Sequence, residues 1–468
     1  MFARISSADP RIAPPRSVSS TLPRMPFKRL FGRGSQEPAP PPPEDLDEPE
    51  DGGDDDEALA PEQSLDAAGI DRHWRDRAAD VIPGGTSTGS KRPAALYGED
   101  AAVGPAHFAS AQGCRIVTPS GRSLIDCTMA LGSVAIGYAD EAVSRAVLQA
   151  VASGNVCGLA SIHEVEVAER LAEVIPCAEQ VRFFKSGGEA VAAAVRIART
   201  ATGRDTVVGC GYFGWQDWWS TGPGIPAGAS ADFVAVPFDD VAALEHAART
   251  AGRGLAAIVL EPVIHALPSA AWCETARRLC SELGAVFILD ELKTGFRLAP
   301  AGYSGYAQVE PDLAVYGKAM ANGYPLAAVV GRAEVMEAAS RTWISSTLAG
   351  EAVGLAAAAA VLDIHAEVDV CATLWRVGAQ MRASVDAAAR ASALPGIRVS
   401  GLDPMWSLDF DDPVMQRRFL EEAVNAGVLF KRGAYHYPSL AHDDDEILLQ
   451  VERVASTALV TVAEEAGA

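Results

Sequence analysis

The sequence predicts an α/β fold: a large domain with a mostly parallel mixed sheet flanked by helices, then a smaller α+β domain. Three observations predict it. Short apolar, β-branched runs alternate with helical stretches from about Val181 to Gly317. With 49% apolar and 21% charged residues over 468 positions, the chain can bury a large core. Past about Leu348 the pattern turns more helical, then mixes strand-like and helical segments.

Residues 1–62 differ from the rest. The first 34 are rich in Arg, Ser and Pro with Asp9 as the only acid, and a polyproline stretch follows. Between Glu44 and Glu57 there are ten acids and no base, nearly half of the formal charge of −22. Neither half buries enough apolar area to offset chain entropy, which predicts disorder. The basic start resembles a transit peptide, but a flexible tail, or a true start at Met25, is the favoured reading.

The globular pattern begins near Ala67. "VRFF" (181–184) is a strand that passes through "KSGG" into the helical "EAVAAAVRIARTAT", which Gly203 can end. Strands follow at 206–210 and 233–238, a helix at 241–251 and a strand at 255–262. A helix at 271–283 precedes the strand "AVFILD" (285–290), and "LAVYG" (313–317) is the next strand. Helix "EAVGLAAAAAVLDIHAE", strand-like "IRVSGLDPMWSLDF" and helical "PVMQRRFLEEAVNAG" make the smaller domain.

Several function classes are excluded early. Past the first few dozen residues there is no basic stripe of the kind nucleic acid requires. No apolar stretch approaches the roughly 20 residues of a membrane span. The eight cysteines and eight histidines lack metal-ligand spacing, and the scattered thiols read as buried groups in a reducing, cytoplasmic setting.

Ligands of open parallel sheets bind at the carboxyl ends of the strands. At those ends stand Asp290, Lys318, Gly187 with Gly188, Tyr212 and Glu261. Singly, each has an ordinary reading as a turn, cap, core or solvent-facing residue. Together they supply an amine for a Schiff base (Lys318), a carboxylate for a ring nitrogen (Asp290) and side chains to sandwich a ring (Tyr212 and Leu292). Ser186–Gly187–Gly188 supply a helix start that can hold a phosphate. This set describes a site for pyridoxal 5'-phosphate (PLP).

"FFKSGGEAVAAAVRIARTATGRD", "GCGYFGWQDWW", "LDELKTGFRLAPAGYSGYAQVEPDLAVYGKAMANGYPLAAVVGR" and "SSTLAGE" resemble the class III aminotransferases, in the branch that holds glutamate-1-semialdehyde aminomutase. The resemblance runs from about Val81 to Glu446. It implies the PLP-dependent fold type I, a homodimer and small-molecule substrates, an amino donor and a carbonyl acceptor. It divides the chain into an N-terminal segment (63–125) serving the small domain and interface, a large PLP-binding domain (126–346) and a small domain (347–468). In the resemblance Lys318 is the Schiff-base lysine and Asp290 the partner of the pyridine nitrogen. Gly187 and Gly188 form the phosphate turn, Tyr212 stacks on the ring, and Leu292 takes the place of a usual valine on the other face. Thr347 reaches the neighbouring subunit's cofactor, and Glu261 matches an E-P pair near it.

Three departures separate an aminotransferase from an aminomutase. "PGGTSTGSKRP" (83–93) puts Lys91, with Arg92 beside it, where aminomutases carry a substrate-binding arginine. Phe213 replaces a histidine, and 430–442 contain no acid where aminomutases carry a glutamate. The sequence therefore favours transfer between two molecules, with intramolecular transfer as the alternative and a non-catalytic scaffold ranked below both. Lys185 either adds charge near the phosphate or points outward. His436, Tyr435 and Arg432 are expected along the substrate pocket.

Overall fold

The computed structural model describes residues 66–98, 104–433 and 435–467. The tail expected to be disordered lies outside the described residues. Fourteen strands are found among the described residues. The first three are β1 (Ser110–Gln112), β2 (Arg115–Val117) and β3 (Ser123–Asp126). Then come β4 (Gln180–Phe184), β5 (Thr206–Cys210), β6 (Phe233–Ala235), β7 (Leu255–Leu260), β8 (Val286–Asp290), β9 (Leu313–Tyr316) and β10 (Ala327–Gly331). The last are β11 (Ile397–Leu402), β12 (Met405–Phe410), β13 (Val428–Leu429) and β14 (Tyr435–His436).

The central sheet has seven strands in the order β4-β10-β9-β8-β7-β5-β6. The pairs from β9 through β8, β7 and β5 to β6 are all parallel. Only β10 is antiparallel, and as it is antiparallel to both β9 and β4 it leaves β4 aligned with the rest. The sheet is buried on both faces, so its strands read as continuous apolar runs. Side chains alternate between faces with the period of two that a strand imposes. Ile258, Leu260, Phe287 and Leu289 join a core with Trp272, Cys273 and Leu279 of the helix Ala270–Leu283. Val259, Ala257, Val286 and Ile288 pack the other way, against Val191, Ala194 and Ile197 of the helix Gly187–Thr202.

Two smaller sheets flank this one. β1, β2 and β3 form an antiparallel ribbon that β13 joins in parallel, tying residues 110–126 to 428–429. The strand-like 397–410 is a hairpin, because Asp403 and Pro404 turn the chain between β11 and β12, and β14 adds to its edge. The strand expected over 233–238 ends at Ala235, just before Pro237, which has no N–H to extend a ladder. No helix among the described residues is long and apolar enough to cross a membrane.

Gly378 shows how closely the helix Val370–Ala391 approaches that hairpin. A Cβ at this position would overlap the backbone carbonyl of Asp403. Alanine is the better helix former by about 1 kcal/mol, but backbone cannot step aside as a side-chain tip can. Gly378→Ala is therefore expected to destabilise the protein, by about 1–3 kcal/mol in denaturant titration.

Candidate active site

Four neighbouring parallel strands end on one edge, and each delivers a polar residue there. β9 leads through Gly317 to Lys318, β8 ends on Asp290, β7 is followed by Glu261, and β5 leads through Gly211 to Tyr212. Asp290 is the register partner of Val315, three residues before Lys318, and Cys210 that of Leu260. All four residues line a single cavity of about 350 Å³, together with Gly187, Gly188 and Leu292.

Asp290, which is buried, and Lys318, which is half-buried, both line it. The Asp290 side chain is 2% exposed, and one oxygen accepts a hydrogen bond from the Leu292 amide at 3.0 Å. Burial, with Glu261 adding to it, pushes its carboxyl up to about 7, while Lys318 and Lys293 oppose the rise. Burial lowers the pKa of Lys318 in turn, against the pull of Asp290. Desolvation of the amine favours the neutral base, and the carboxyl beside it opposes that preference. Lys318 also has φ +47, a left-handed value rare outside glycine, which is the kind of backbone strain that collects at active sites.

The helix Gly187–Thr202 starts at the cavity. Ser186 caps it: its hydroxyl accepts from the Glu189 amide at 3.4 Å and donates to Glu189 Oε2 at 3.1 Å. The Ser186 hydroxyl is thus engaged in a capping box. Gly187 and Gly317 make room for Leu292, whose methyls would meet Cβ atoms there at 2.5 and 2.7 Å. Tyr212 is exposed to the cavity and braced edge-on by Trp219, with ring centres 5.7 Å apart. Its amide donates to Glu261 Oε2 at 3.0 Å. Lys185 also lines the cavity, but its amine is held by Glu351 at 2.7 Å and by the Pro325 carbonyl at 3.0 Å.

Three residues expected to touch substrate lie elsewhere in the protomer. Lys91 lines a second cavity, of about 440 Å³, with Arg72, Asp76 and His107. Arg92 precedes the helix Pro93–Tyr97 and lies against Gly84. His436 is fully buried, stacked on Trp406 at 4.3 Å, with Nε2 accepting from the Lys431 amide at 3.0 Å. Burial drives its pKa down to about 3, so it is a neutral core residue. Arg432 likewise points away, donating to the Ala94 carbonyl. Thr347 is exposed and does not line this cavity.

Among the cavity residues that escaped the sequence reading are Ser133 and Lys293. Ser133 follows Met129, Ala130, Leu131 and Gly132, four consecutive residues with φ between +40 and +79. Lys293, in the loop after β8, is 9% exposed and forms an ion pair with Glu261 at 2.5 Å. A lysine three residues past a buried acid was the available signal.

The residues present fit PLP. The helix start offers its first amides at two glycines, where a Cβ would run into Leu292 and Gln216. The side-chain amide of Gln216 lies next to Gly188 and Gly214 at this helix start. The aldehyde-reactive amine and the buried carboxyl stand in one cavity with an aromatic face and a branched aliphatic one.

Comparison with known proteins gives the same picture. The family model described as aminotransferase class-III matches residues 98–213 and 229–457. A 2'-deamino-2'-hydroxyneamine transaminase of Streptomyces kanamyceticus is 37% identical over 309 residues, which is 66% of this chain and 78% of that protein. A glutamate-1-semialdehyde 2,1-aminomutase of Anaeromyxobacter dehalogenans (strain 2CP-C) is 31% identical, covering 84% of this chain and 97% of its own. Among solved structures, FumI of Sphingopyxis sp. MTA144, in its PLP internal aldimine form, superposes with a TM-score of 0.80 at 27% identity. That match covers 85% of this chain and 98% of the other. The strand-end site, the family match over most of the chain and the shared fold agree: the chain belongs to the class III aminotransferases, a PLP-dependent family.

Proposed function

We propose that the protein moves an amino group from a donor to a separate aldehyde or keto acceptor. The observation that carries this is the convergence of Lys318 and Asp290, from neighbouring parallel strands, in one cavity. When bound, PLP supplies an aldehyde to take the donor's nitrogen and a ring to withdraw the electrons left behind by a departing proton. Lys318 would hold the cofactor between turnovers. Freed by the incoming donor, its Nζ takes the proton from the amine-bearing carbon, and returns a proton to the acceptor carbon in the reverse half-reaction. Asp290 would keep the ring nitrogen protonated. Gly187 and Gly188 would present their amides to the phosphate, with Tyr212 and Leu292 on the two ring faces.

Transfer between two molecules is favoured over transfer within one by residues 430–442. This segment carries no acid, and its polar groups are spent on structure. Lys431 donates to the carbonyls of Ser90 and Ala95 at 3.0 Å each, and His436 is buried in the core. A segment built this way offers no carboxylate to act on a bound intermediate. The test supplies glutamate-1-semialdehyde alone, then amino donors with keto or aldehyde acceptors. Turnover is expected only when both partners are present; conversion of the semialdehyde by itself would select the aminomutase reading.

The working unit in this reading is a homodimer in which Thr347 serves the neighbouring subunit's cofactor. The exposed apolar side chains of Leu348 and Trp343, close to Thr347 in sequence, support it. A cytoplasmic location is supported by eight unpaired cysteines, seven of them buried.

A further inference from the structure

Lys293 is the cationic group of the cavity that the reading above leaves without work. Its amine is enclosed from three sides. Glu261, at the end of β7, pairs with it at 2.5 Å, and the same carboxylate accepts from the Tyr212 amide through its other oxygen. The ring of Tyr435, from β14, lies 4.5 Å beneath the amine, and its hydroxyl is 3.4 Å away. Tyr435 is itself fixed, stacked on His265 at 5.7 Å and accepting from the His265 amide at 2.8 Å. Lys293 is therefore held by groups from two separate parts of the sequence, Glu261 and Tyr435, with little freedom to move.

We propose that Lys293 is a positioning residue for the transfer reaction: a fixed ammonium, clamped between Glu261 and Tyr435, that keeps the Lys318 amine across the cavity in its neutral, proton-accepting form. This rests on the aminotransferase reading given above.

The electrostatics follow from the placement. Burial works against a charge on Lys293, but Glu261, with Tyr435 and Tyr437, outweighs it and holds its pKa above the ordinary lysine value. Asp290, Lys293, Glu261 and Arg297 act electrostatically on Lys318, and Lys185, Tyr212 and Tyr324 line the same cavity. Asp290 and Glu261 favour an ammonium on Lys318, whereas Lys293 and Arg297 disfavour it, and Lys293 acts more strongly than its partner Glu261. Arg297 is fully buried, donating to the carbonyls of Pro404, Pro438 and Gly132 over the face of Tyr437. Its charge is a constant background. The Lys293–Glu261 pair thus acts on Lys318 as a dipole with its positive end dominant, among buried and half-buried side chains where such fields are screened less than in bulk water.

The test titrates the holoenzyme's cofactor absorption band against pH. A second readout follows the pH midpoint of Lys318 acylation by a small reagent in the cofactor-stripped protein, with peptide mapping. Lys293→Met is expected to raise both midpoints by about one pH unit, because Glu261 is left unopposed. Lys293→Arg, which keeps the charge, is expected to restore them. The double variant Glu261→Gln/Lys293→Met leaves no charge of the pair unmatched, so it guards against misfolding. It is expected between wild type and Lys293→Met. Midpoints equal to wild type in Lys293→Met, or in the double variant where the single one does not fold, would overturn the proposal. A wild-type protein with no Lys318-dependent band would instead overturn the cofactor assignment beneath it.

Discussion

Lys318→Ala is expected to abolish transamination, with turnover falling at least about 1,000-fold as the general base and the covalent anchor are lost together. The measurement is a donor-plus-acceptor assay beside an absorption spectrum, in which the lysine-linked cofactor band disappears. The fold should survive. Alanine at 318 meets the same left-handed backbone that lysine already tolerates. Burial lowers the folded pKa of Lys318, so near neutrality its ammonium is a burden on the native state and its removal relieves it. A small exogenous amine is expected to restore part of the activity, because the cavity left at Nζ opens onto the substrate site. Full activity in this variant would remove the amine from the mechanism.

Much of the site was legible because parallel α/β architecture turns sequence order into place. Once 206–210, 255–262, 285–290 and 313–317 read as strands of a mostly parallel sheet, Tyr212, Glu261, Asp290 and Lys318 had to lie along one edge. What stayed hidden depends on contacts between distant segments. β10 is an apolar run like the others, and nothing local marks it as the antiparallel member. Lys293 reads as a solvent-facing loop lysine until Glu261 and Tyr435, the latter 142 residues away, close around it. His436 sits next to a residue of that clamp, yet it faces the core because Trp406 and Phe430 enclose its ring. A one-residue change of face in a strand decides between pocket and core. The left-handed run before Ser133 uses Met, Ala and Leu, so no glycine pattern announced it.

The same geometry separates the residues that stabilise the fold from those that burden it for chemistry. Glu291, adjacent to Asp290 and also fully buried, is satisfied by the amides of Tyr303 and Ser304 at 2.8 and 2.7 Å and by the Thr294 hydroxyl. It closes the turn behind the site. Asp290 has one amide hydrogen bond, from Leu292, and otherwise faces the cavity. Two carboxyls in neighbouring positions therefore carry different loads, one structural and one chemical.

Asp290→Asn tests that division, and its two effects are expected to run in opposite directions. Asparagine keeps the shape and its Oδ1 still accepts from the Leu292 amide, but it cannot hold a positive charge on the ring nitrogen. Turnover is expected to fall by about 100–1,000-fold, the scale of losing one preorganised electrostatic partner, with the KM of the donor little changed. Stability of the cofactor-free protein should move the other way. The folded carboxyl titrates near 7 instead of 3.8, so as pH rises the unfolded chain ionises before the native one does. Native stability from this group is complete below pH 3.8 and is lost as pH climbs toward 7. Asparagine has no such loss. The variant should therefore melt higher than wild type at about pH 8, and this advantage should vanish by about pH 4. Glu291 shares the same window, so the quantity to follow is the difference between variant and wild type at each pH. A melting temperature below wild type at alkaline pH would mean that the buried carboxylate supports the fold, and that its place at the end of β8 is not explained by the chemistry assigned to it.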